Sequence, residues 1–317
     1  MLVKVGRGVT ATQLHVDREG SGEPILWITG LAISSEVFSP VIGRYAAGFD
    51  CIRYDSRGAG RSYVPWRPTS IPELAADAVH LLDALDIGSA HVYGLSMGGM
   101  VAQEVALRFP DRVRALVLGG TTHGGPQAAL PSPAIAVALA SRGTPAARRA
   151  ELAGRALFTP SFREREPERV RRYLGHLGRH RASARGLVSH LAAAAYHDTR
   201  ARLGRITAPT LVMHGAQDEL TPPANAQLLA QAIPAARLAL VPDAGHLYLL
   251  EQPDVSHALF TDWLAAISPV SPGRPLAGLR ATGEPLTRAL GLQVGMLRSV
   301  RSLYASPVRR RPPDQEE

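Results

Sequence analysis

The sequence predicts an α/β fold in which a mostly parallel, doubly wound sheet is covered by helices on both faces. Short runs of Val, Ile and Leu recur along the chain, and longer segments with helical periodicity separate them. Strands of a parallel sheet are apolar along their whole length because both of their faces are buried. Six runs with this pattern are predicted as strands at 25–29, 51–55, 90–95, 113–119, 210–215 and 237–242.

Two further segments complete the predicted sheet and its cover. Residues 10–20 alternate apolar and polar side chains, which predicts an edge strand that ends at a glycine-containing turn. Residues 71–87 begin with Pro72 near the first turn and repeat apolar side chains at helical spacing. We expect this second segment to form a helix that covers the sheet.

The alternation of strands and helices stops between 121 and 205, which indicates an insertion. The inserted segment is rich in Ala, Leu and Arg and is interrupted by prolines, so it predicts a cap of several short helices. We therefore divide the chain into the first part of an α/β core (1–121), a helical cap (122–205), the second part of the core (206–267) and a C-terminal extension (268–317).

The C-terminal extension combines a linker, a helix and a tail. Residues 268–285 are rich in Pro and Gly and predict the linker, and residues 286–304 predict a basic amphipathic helix. Such a helix suits packing on its own domain, self-association into a homo-oligomer, or a membrane surface, and the sequence leaves these alternatives open. The remaining basic tail is predicted to be disordered.

Composition narrows the class of protein. The 317 residues are 45% hydrophobic and 20% charged, as in an ordinary soluble globular protein, and they contain no run of 18 apolar residues. The N-terminus lacks the pattern of a secretory signal, so we expect a cytoplasmic protein. Cys51 is the only cysteine, which excludes a disulfide within the chain and a cysteine-rich zinc site.

The chain carries a formal net charge of +8, but we expect no nucleic-acid binding. Lys4 is the only lysine, so the basic residues are almost all arginine, and much Ala, Gly and Pro accompanies them. This skew is typical of a composition bias across a whole genome. No interleaving of basic and aromatic residues or nucleic-acid-binding motif accompanies the charge.

The motif with the clearest chemistry is GLSMGG at 94–99. Ser96 comes at the end of a predicted strand, and a helical pattern follows at once, so the glycine-flanked serine lies in a strand-to-helix turn. Gly94 and Gly98 suit a turn so tight that side chains would collide with neighbouring elements. A serine in this turn is exposed at the carboxyl edge of the sheet, close to the first N–H groups of the helix.

A serine nucleophile needs a histidine base and a carboxylate that orients it. Asp218 follows the predicted strand at 210–215, and His246 follows the strand at 237–242. Both therefore lie on the same sheet edge as Ser96, in the chain order Ser, Asp, His. Asp243 and Glu219 are the alternative carboxylates. His214 is interpreted as a packing residue.

Two more site predictions concern backbone groups and metals. The N–H groups of Met97 and of Leu31, which follows Gly30 after the first parallel strand, are predicted to stabilise a tetrahedral oxyanion. His176 and His180 are spaced four apart and could face one metal ion, but no third ligand is evident, so we expect a solvated cap helix. No metal and no organic cofactor is predicted.

These motifs make the sequence similar to the α/β-hydrolase fold superfamily over about 20–267, apart from the cap. The segments that carry the resemblance lie at 55–62, 94–118, 208–223 and 242–254. Within the superfamily, the chain resembles 3-oxoadipate enol-lactonases, anthracycline methyl esterases and haloperoxidase-like esterases. The resemblance implies nucleophile Ser96, acid Asp218 and base His246.

The resemblance also brings one departure from the family pattern and two structural residues. The family usually has His-Gly after the first parallel strand, whereas this chain has Thr29 and Gly30. Asp55 and Arg57 match a segment that is largely structural in the family. Relatives that dehalogenate or open epoxides use aspartate at the nucleophile position, and Ser96 argues against both activities.

The sequence thus predicts a serine hydrolase that cleaves a small to medium carboxylic ester or lactone through an acyl-enzyme on Ser96. The same triad could instead serve a perhydrolase, a lyase or a cyclase, and a binding protein could keep the fold without turnover. Substrate choice is expected to depend on the cap and on residues such as His123 and Tyr196. An arginine of the cap could bind a substrate carboxylate, although a solvated face is the simpler interpretation; the candidates are Arg163, Arg165, Arg169, Arg171, Arg172, Arg179, Arg181 and Arg185.

Overall fold

An eight-stranded sheet organises the part of the chain that the computed structural model describes, residues 1–6, 11–135, 146–180 and 182–267. The strands are ordered β1-β2-β4-β3-β5-β6-β7-β8. β1 pairs antiparallel with β2, and β2 pairs antiparallel with β4, while all other pairs are parallel. The strands are β1 Leu2–Val5, β2 Thr12–Glu19, β3 Glu23–Ile28, β4 Phe49–Tyr54, β5 Ala90–Leu95, β6 Val113–Gly119, β7 Thr210–Gly215 and β8 Arg237–Val241.

All six apolar runs that the sequence analysis identified form strands, β3 to β8. The prediction of an edge strand at 10–20 is wrong in one respect, because β2 is covered on its outer side by β1. β1 has only four residues and includes Lys4, so it offers no apolar run from which to predict a strand. It is held by its pairing with β2, in which Val3 lies opposite Leu14.

Helices cover both faces of the sheet and also form much of the described segment between β6 and β7. The predicted helix at 71–87 begins at Ile71, where the Ser70 side chain accepts a hydrogen bond from the N–H of Glu73, and it ends at Ala84. The described part of the predicted cap, 122–205, contains four α-helices, α4 to α7. The helices are α1 Ser39–Ala46, α2 Ile71–Ala84, α3 Met97–Arg108, α4 Ala146–Leu157, α5 Pro160–Arg165, α6 Pro167–Arg179, α7 Ala184–Ala195, α8 Ala224–Ala232, α9 Tyr248–Glu251 and α10 Pro253–Ile267.

The hydrophobic core has one layer on each face of the sheet, because successive side chains of a strand point to opposite faces. Leu26 and Ile28 join the layer beneath α2 and α3. Ile25 and Trp27 join the layer beneath α1 and α10. The Trp27 ring stacks on Tyr93 of β5, with centroids 4.4 Å apart. This packing fixes β3 and β5 side by side, so the loops at their carboxyl ends are held together.

The C-terminal extension predicted at 268–317, with its linker, amphipathic helix and tail, lies outside the described residues. The described residues up to Ile267 belong to one unit, which spans Met1–Pro269. No helix among them is long and apolar enough to cross a membrane.

Candidate active site

Ser96 lies in a sharp turn between β5 and α3 and has backbone angles φ 57° and ψ −124°. A positive φ is uncommon for a residue with a side chain and costs on the order of 1–3 kcal/mol. The neighbouring glycines make the turn possible. A Cβ on Gly94 would lie 2.3 Å from the carbonyl oxygen of Gly98, and one on Gly98 would lie 2.1 Å from the carbonyl oxygen of Ile28. The turn therefore has no room for a side chain at Gly94 or Gly98.

Asp218 and His246 lie in the loops after β7 and β8 and contact each other. Nδ1 of His246 donates to Oδ2 of Asp218 over 2.8 Å, and both side chains are buried. The other carboxylate oxygen accepts from the N–H groups of Leu220 and Thr221 at 2.9 Å and 2.8 Å. The bond at Nδ1 orients the imidazole and leaves Nε2 to accept a proton.

The electrostatics of Asp218 favour the charged carboxylate. Burial would raise the pKa of this group, but the charge of His246 and hydrogen bonds from His214 and His246 outweigh burial and lower the pKa to about 2. The carboxylate is therefore ionised at neutral pH. A buried negative charge next to Nδ1 stabilises the imidazolium that forms when the ring takes up a proton.

Ser96 and His246 line the same cavity, which has a volume of about 370 Å³. Apart from these two residues and Thr221, its walls are apolar, and they come from both the core and the predicted cap. The other lining residues are Gly30, Leu31, Ile33, Leu95, Ala153, Ala156, Leu157, Leu177, Leu191, Leu220 and Leu247. The structure thus brings together the three residues that the sequence placed on one sheet edge.

Among the described residues, neither of the alternative carboxylates makes a hydrogen bond or an ion pair with His246. Asp243 and Glu219 are both exposed. Glu219 accepts a hydrogen bond from the Ser132 hydroxyl at 3.1 Å. Asp243 accepts a long bond of 3.4 Å from Gln217. Asp218 is the carboxylate that reaches the imidazole.

Two other histidines have partners that the sequence did not predict. His214 is fully buried, and its Nε2 donates to the carbonyl of Thr221 over 2.6 Å while lying 3.3 Å from Oδ2 of Asp218. The interpretation of His214 as a packing residue therefore misses its contact with the acid. His180 pairs with Glu36 at 3.2 Å. Among the described residues, no three His, Cys, Asp or Glu side chains form a metal-ligating group.

The loop that follows β3 lies directly against Ser96. A Cβ on Gly30 would be 3.1 Å from the Cβ of Ser96. The N–H of the next residue, Leu31, donates to none of the described residues. The N–H of Met97 is at the first position of α3, where a helix offers no partner. Both predicted oxyanion donors thus flank Ser96 and are available to a ligand.

Thr29 occupies the position where the α/β-hydrolase family usually has histidine. Its side chain makes a hydrogen bond within the loop that follows β3. Its hydroxyl donates to the carbonyl of Ile33 over 3.2 Å. The side chain is completely buried. The loop 29–33, which we call the oxyanion loop, is therefore closed by a hydrogen bond without an imidazole at its start.

Asp55 and Arg57 make contacts that support the fold near this loop. The Asp55 carboxylate accepts from the N–H groups of Ser35 and Arg61 at 2.6 Å and 2.8 Å. Arg57 is buried and pairs with Asp77 and Glu73 on α2. Neither side chain lines the cavity at Ser96.

A second cavity of about 210 Å³ adjoins His246 and is more polar. One of the cap arginines that the sequence analysis named, Arg163, lines this cavity. Its other polar lining residues include Arg155, Gln217 and Glu219. Arg169 instead lies over the Phe162 ring, 5.2 Å from its centroid. One of the candidate arginines is therefore near His246.

The two residues proposed to select substrate do not reach the cavity at Ser96. Tyr196 is 92% exposed, and His123 is buried with its carbonyl accepting from the N–H of Thr199 at 3.0 Å. Neither residue lines this cavity, whose cap residues come from α4, α6 and α7, so a part for His123 and Tyr196 in substrate choice stays a prediction.

Glu251 is a buried group near the site that the sequence analysis did not single out. Its carboxylate accepts from the N–H of Gly245 at 2.7 Å and from the Thr159 hydroxyl at 2.6 Å. Burial raises the pKa of Glu251. The residue ties the turn that precedes His246 to the start of α5. Only the three-dimensional structure shows this link, because Thr159 is 92 residues away in sequence.

Comparisons with known proteins agree with this architecture. A model of the alpha/beta hydrolase fold family matches residues 23–253. The chain is 34% identical to 3-oxoadipate enol-lactonase 2 of Acinetobacter baylyi, over 74% of this chain and 86% of that protein. It is 30% identical to rhodomycin D methylesterase DnrP of Streptomyces peucetius, over 76% and 91% respectively.

A solved structure extends the likeness to three dimensions. The enol-lactonase from Burkholderia xenovorans superimposes with a TM-score of 0.71 at 28% identity, covering 80% of this chain and 97% of that one. The family match spans most of the chain and contains Ser96, Asp218 and His246. The chain therefore belongs to the α/β-hydrolase fold family and is a hydrolytic enzyme.

Proposed function

We propose that the chain is a serine hydrolase that cleaves a small to medium carboxylic ester or lactone through an acyl-enzyme on Ser96. One observation carries the proposal: Ser96, held at positive φ, shares a cavity with His246, whose Nδ1 donates to the buried Asp218 over 2.8 Å. Relatives named as an enol-lactonase and a methylesterase support the choice of ester chemistry.

In this proposal each group has one role. Nε2 of His246 takes the Ser96 proton as Oγ attacks the substrate carbonyl, and Asp218 stabilises the resulting imidazolium. The N–H groups of Met97 and Leu31 donate to the tetrahedral oxyanion. Collapse breaks the ester bond, and His246 gives its proton to the leaving alkoxide. His246 then takes a proton from water as its oxygen attacks the acyl carbonyl. It returns that proton to Oγ of Ser96 as the acyl–oxygen bond breaks and the carboxylic acid leaves.

The cavity walls favour an apolar group next to the reacting carbonyl. The space at Ser96 is enclosed by leucine and alanine side chains from the oxyanion loop, α4 and α6. A neighbouring cavity of about 350 Å³ shares five lining residues with the cavity at Ser96 and is also apolar. Apolar surface gains about 25 cal/mol per Å² when it leaves water, so alkyl substituents should improve binding.

A fluorophosphonate probe tests the proposal, because it phosphonylates a serine only where a base and an oxyanion site activate it. We expect labelling of the wild type and no labelling or esterase activity in Ser96→Ala. Ser89→Ala is the matched control, since Ser89 precedes the same strand at its opposite end and contacts Arg114. Undiminished activity in Ser96→Ala would overturn the assignment.

A further inference from the structure

His190 connects the cap to the oxyanion loop. It lies on α7 and is completely buried. Its Nδ1 accepts a hydrogen bond from the N–H of Ala32 over 3.1 Å, and its Nε2 donates to the carbonyl of Arg57 over 2.8 Å. The partners fix the tautomer, because an amide N–H requires an acceptor at Nδ1 and a carbonyl requires a donor at Nε2. The ring is therefore neutral and uses both nitrogens.

The ring is anchored independently of Ala32. A Cβ on Gly186 would lie 1.9 Å from the carbonyl oxygen of Gly58, so the backbone of α7 packs directly on the segment after β4. The Ser189 hydroxyl accepts from the N–H of Thr69 over 2.8 Å. Since residues 186, 189 and 190 lie on one face of the helix, this face is docked on the core at three points.

Ala32 is a position where the backbone needs support. Its φ is 56°, which is unfavourable for a residue with a Cβ. The N–H that His190 holds belongs to the peptide plane between Leu31 and Ala32. Fixing that plane restricts the rotation of Leu31, whose own N–H lies one peptide earlier, beside Gly30 and Ser96. Thr29 restrains the same loop from the other side through Ile33.

We propose that His190 is a positioning residue, which holds the oxyanion loop so that the N–H of Leu31 points at the developing oxyanion. This inference rests on the proposed function, since it assigns a purpose to the loop only if an oxyanion forms there. Burial lowers the pKa of His190, so the ring stays neutral at pH 7 and keeps Nδ1 as an acceptor. The cap helix α7 is then part of the catalytic framework.

Two variants of His190 separate positioning from general stability. His190→Leu fills the space but removes both hydrogen bonds, while His190→Gln keeps one acceptor and one donor at a similar separation. With a p-nitrophenyl ester, we expect His190→Leu to lower kcat by about 10-fold to 100-fold, somewhat less than loss of a whole oxyanion donor, with KM changed less than about twofold. His190→Gln should recover most of kcat.

Ser189→Ala is the matched control, because it removes a hydrogen bond between the same helix face and the core without touching the oxyanion loop. We expect it to lower Tm and to lower kcat less than about threefold, because the contact at Gly186 and both hydrogen bonds of His190 remain. A trifluoromethyl ketone, which forms an oxyanion adduct with the serine, should lose affinity for His190→Leu in parallel with kcat. If His190→Leu does not fold, His190→Ala removes the same hydrogen bonds without added bulk.

The inference is overturned if folded His190→Leu keeps the wild-type kcat and ketone affinity, or if Ser189→Ala loses as much kcat as His190→Leu. Failure of the proposed function looks different, because the wild type itself would then neither react with the fluorophosphonate nor bind the ketone covalently.

Discussion

Replacing Asp218 by asparagine changes the charge and the donor pattern beside His246 at almost constant shape. The asparagine oxygen can still accept from the N–H groups of Leu220 and Thr221. Its NH2 group then faces Nδ1 of His246, which must become an acceptor and place the ring proton on Nε2. That tautomer cannot take the proton of Ser96. The NH2 group also takes the place of Oδ2, which lies 3.3 Å from Nε2 of His214. It therefore faces a second donor there.

The size of the effect follows from these contacts. In the reactive tautomer of His246 the proton is on Nδ1, where it would face the NH2 group of the asparagine. Two donors facing each other in a buried site cost about 1–3 kcal/mol. Losing the charged hydrogen bond to the imidazolium costs about 1.5–3 kcal/mol more. Together they raise the barrier by about 2.5–6 kcal/mol, so kcat for an activated ester should fall by about 10²-fold to 10⁴-fold. KM should change little because Asp218 does not line the cavity at Ser96.

Asp243→Asn is the matched control for this experiment. Asp243 is an exposed carboxylate in the same loop as His246, and its φ of 50° is one that asparagine tolerates. The control should keep wild-type kcat, and circular dichroism should show that both variants fold. The reasoning is refuted if kcat of Asp218→Asn stays within about threefold of wild type or if the two variants lose equal activity.

Four further outcomes are expected. Ser96→Gly should unfold in urea with a free energy about 1 kcal/mol above that of Ser96→Ala, because glycine relieves the positive φ; equal stability would contradict the strain. Gly98→Ala should lose about 2 kcal/mol or more of stability in the same assay, since its Cβ would lie 2.1 Å from a carbonyl oxygen. Leu177→Trp should lower kcat/KM about 10-fold for p-nitrophenyl octanoate and much less for the acetate, because Leu177 lines the apolar cavity; an equal loss would refute that role. The pKa of Asp218, lowered to about 2 from about 3.9 in the unfolded chain, gives stability above pH 4 that is lost as pH falls toward 2, so Asp218→Asn should show a weaker dependence of unfolding free energy on pH in this window.

The strands and the positions of Ser96, Asp218 and His246 could be predicted because their signals are local. Each buried strand is one continuous apolar run, and each predicted triad residue follows such a run directly. Parallel strands bring those positions to one sheet edge, so no knowledge of packing was needed. β1 could not be predicted, because its four residues are stabilised by pairing with β2 and have no apolar pattern of their own.

The supports of the site could not be predicted because they join distant segments. His190 lies 158 residues from Ala32, and Glu251 lies 92 residues from Thr159. Histidine and glutamate at these positions are typical of a solvated helix face, and only packing of the cap on the core buries them. The sequence likewise places His214 only within a strand. Its contact with Asp218 depends on the turn at Thr221, whose carbonyl accepts from the imidazole.

The most direct measurement of the central claim is the trapping of the acyl-enzyme. The wild type would be mixed with a p-nitrophenyl ester, quenched in acid during turnover, and mapped by peptide mass spectrometry, with Ser96→Ala treated in parallel. The account predicts a mass increase equal to the acyl group on the peptide that contains Ser96, and none in the variant. Turnover without acylation of Ser96, or the same adduct on another residue in both proteins, would contradict it.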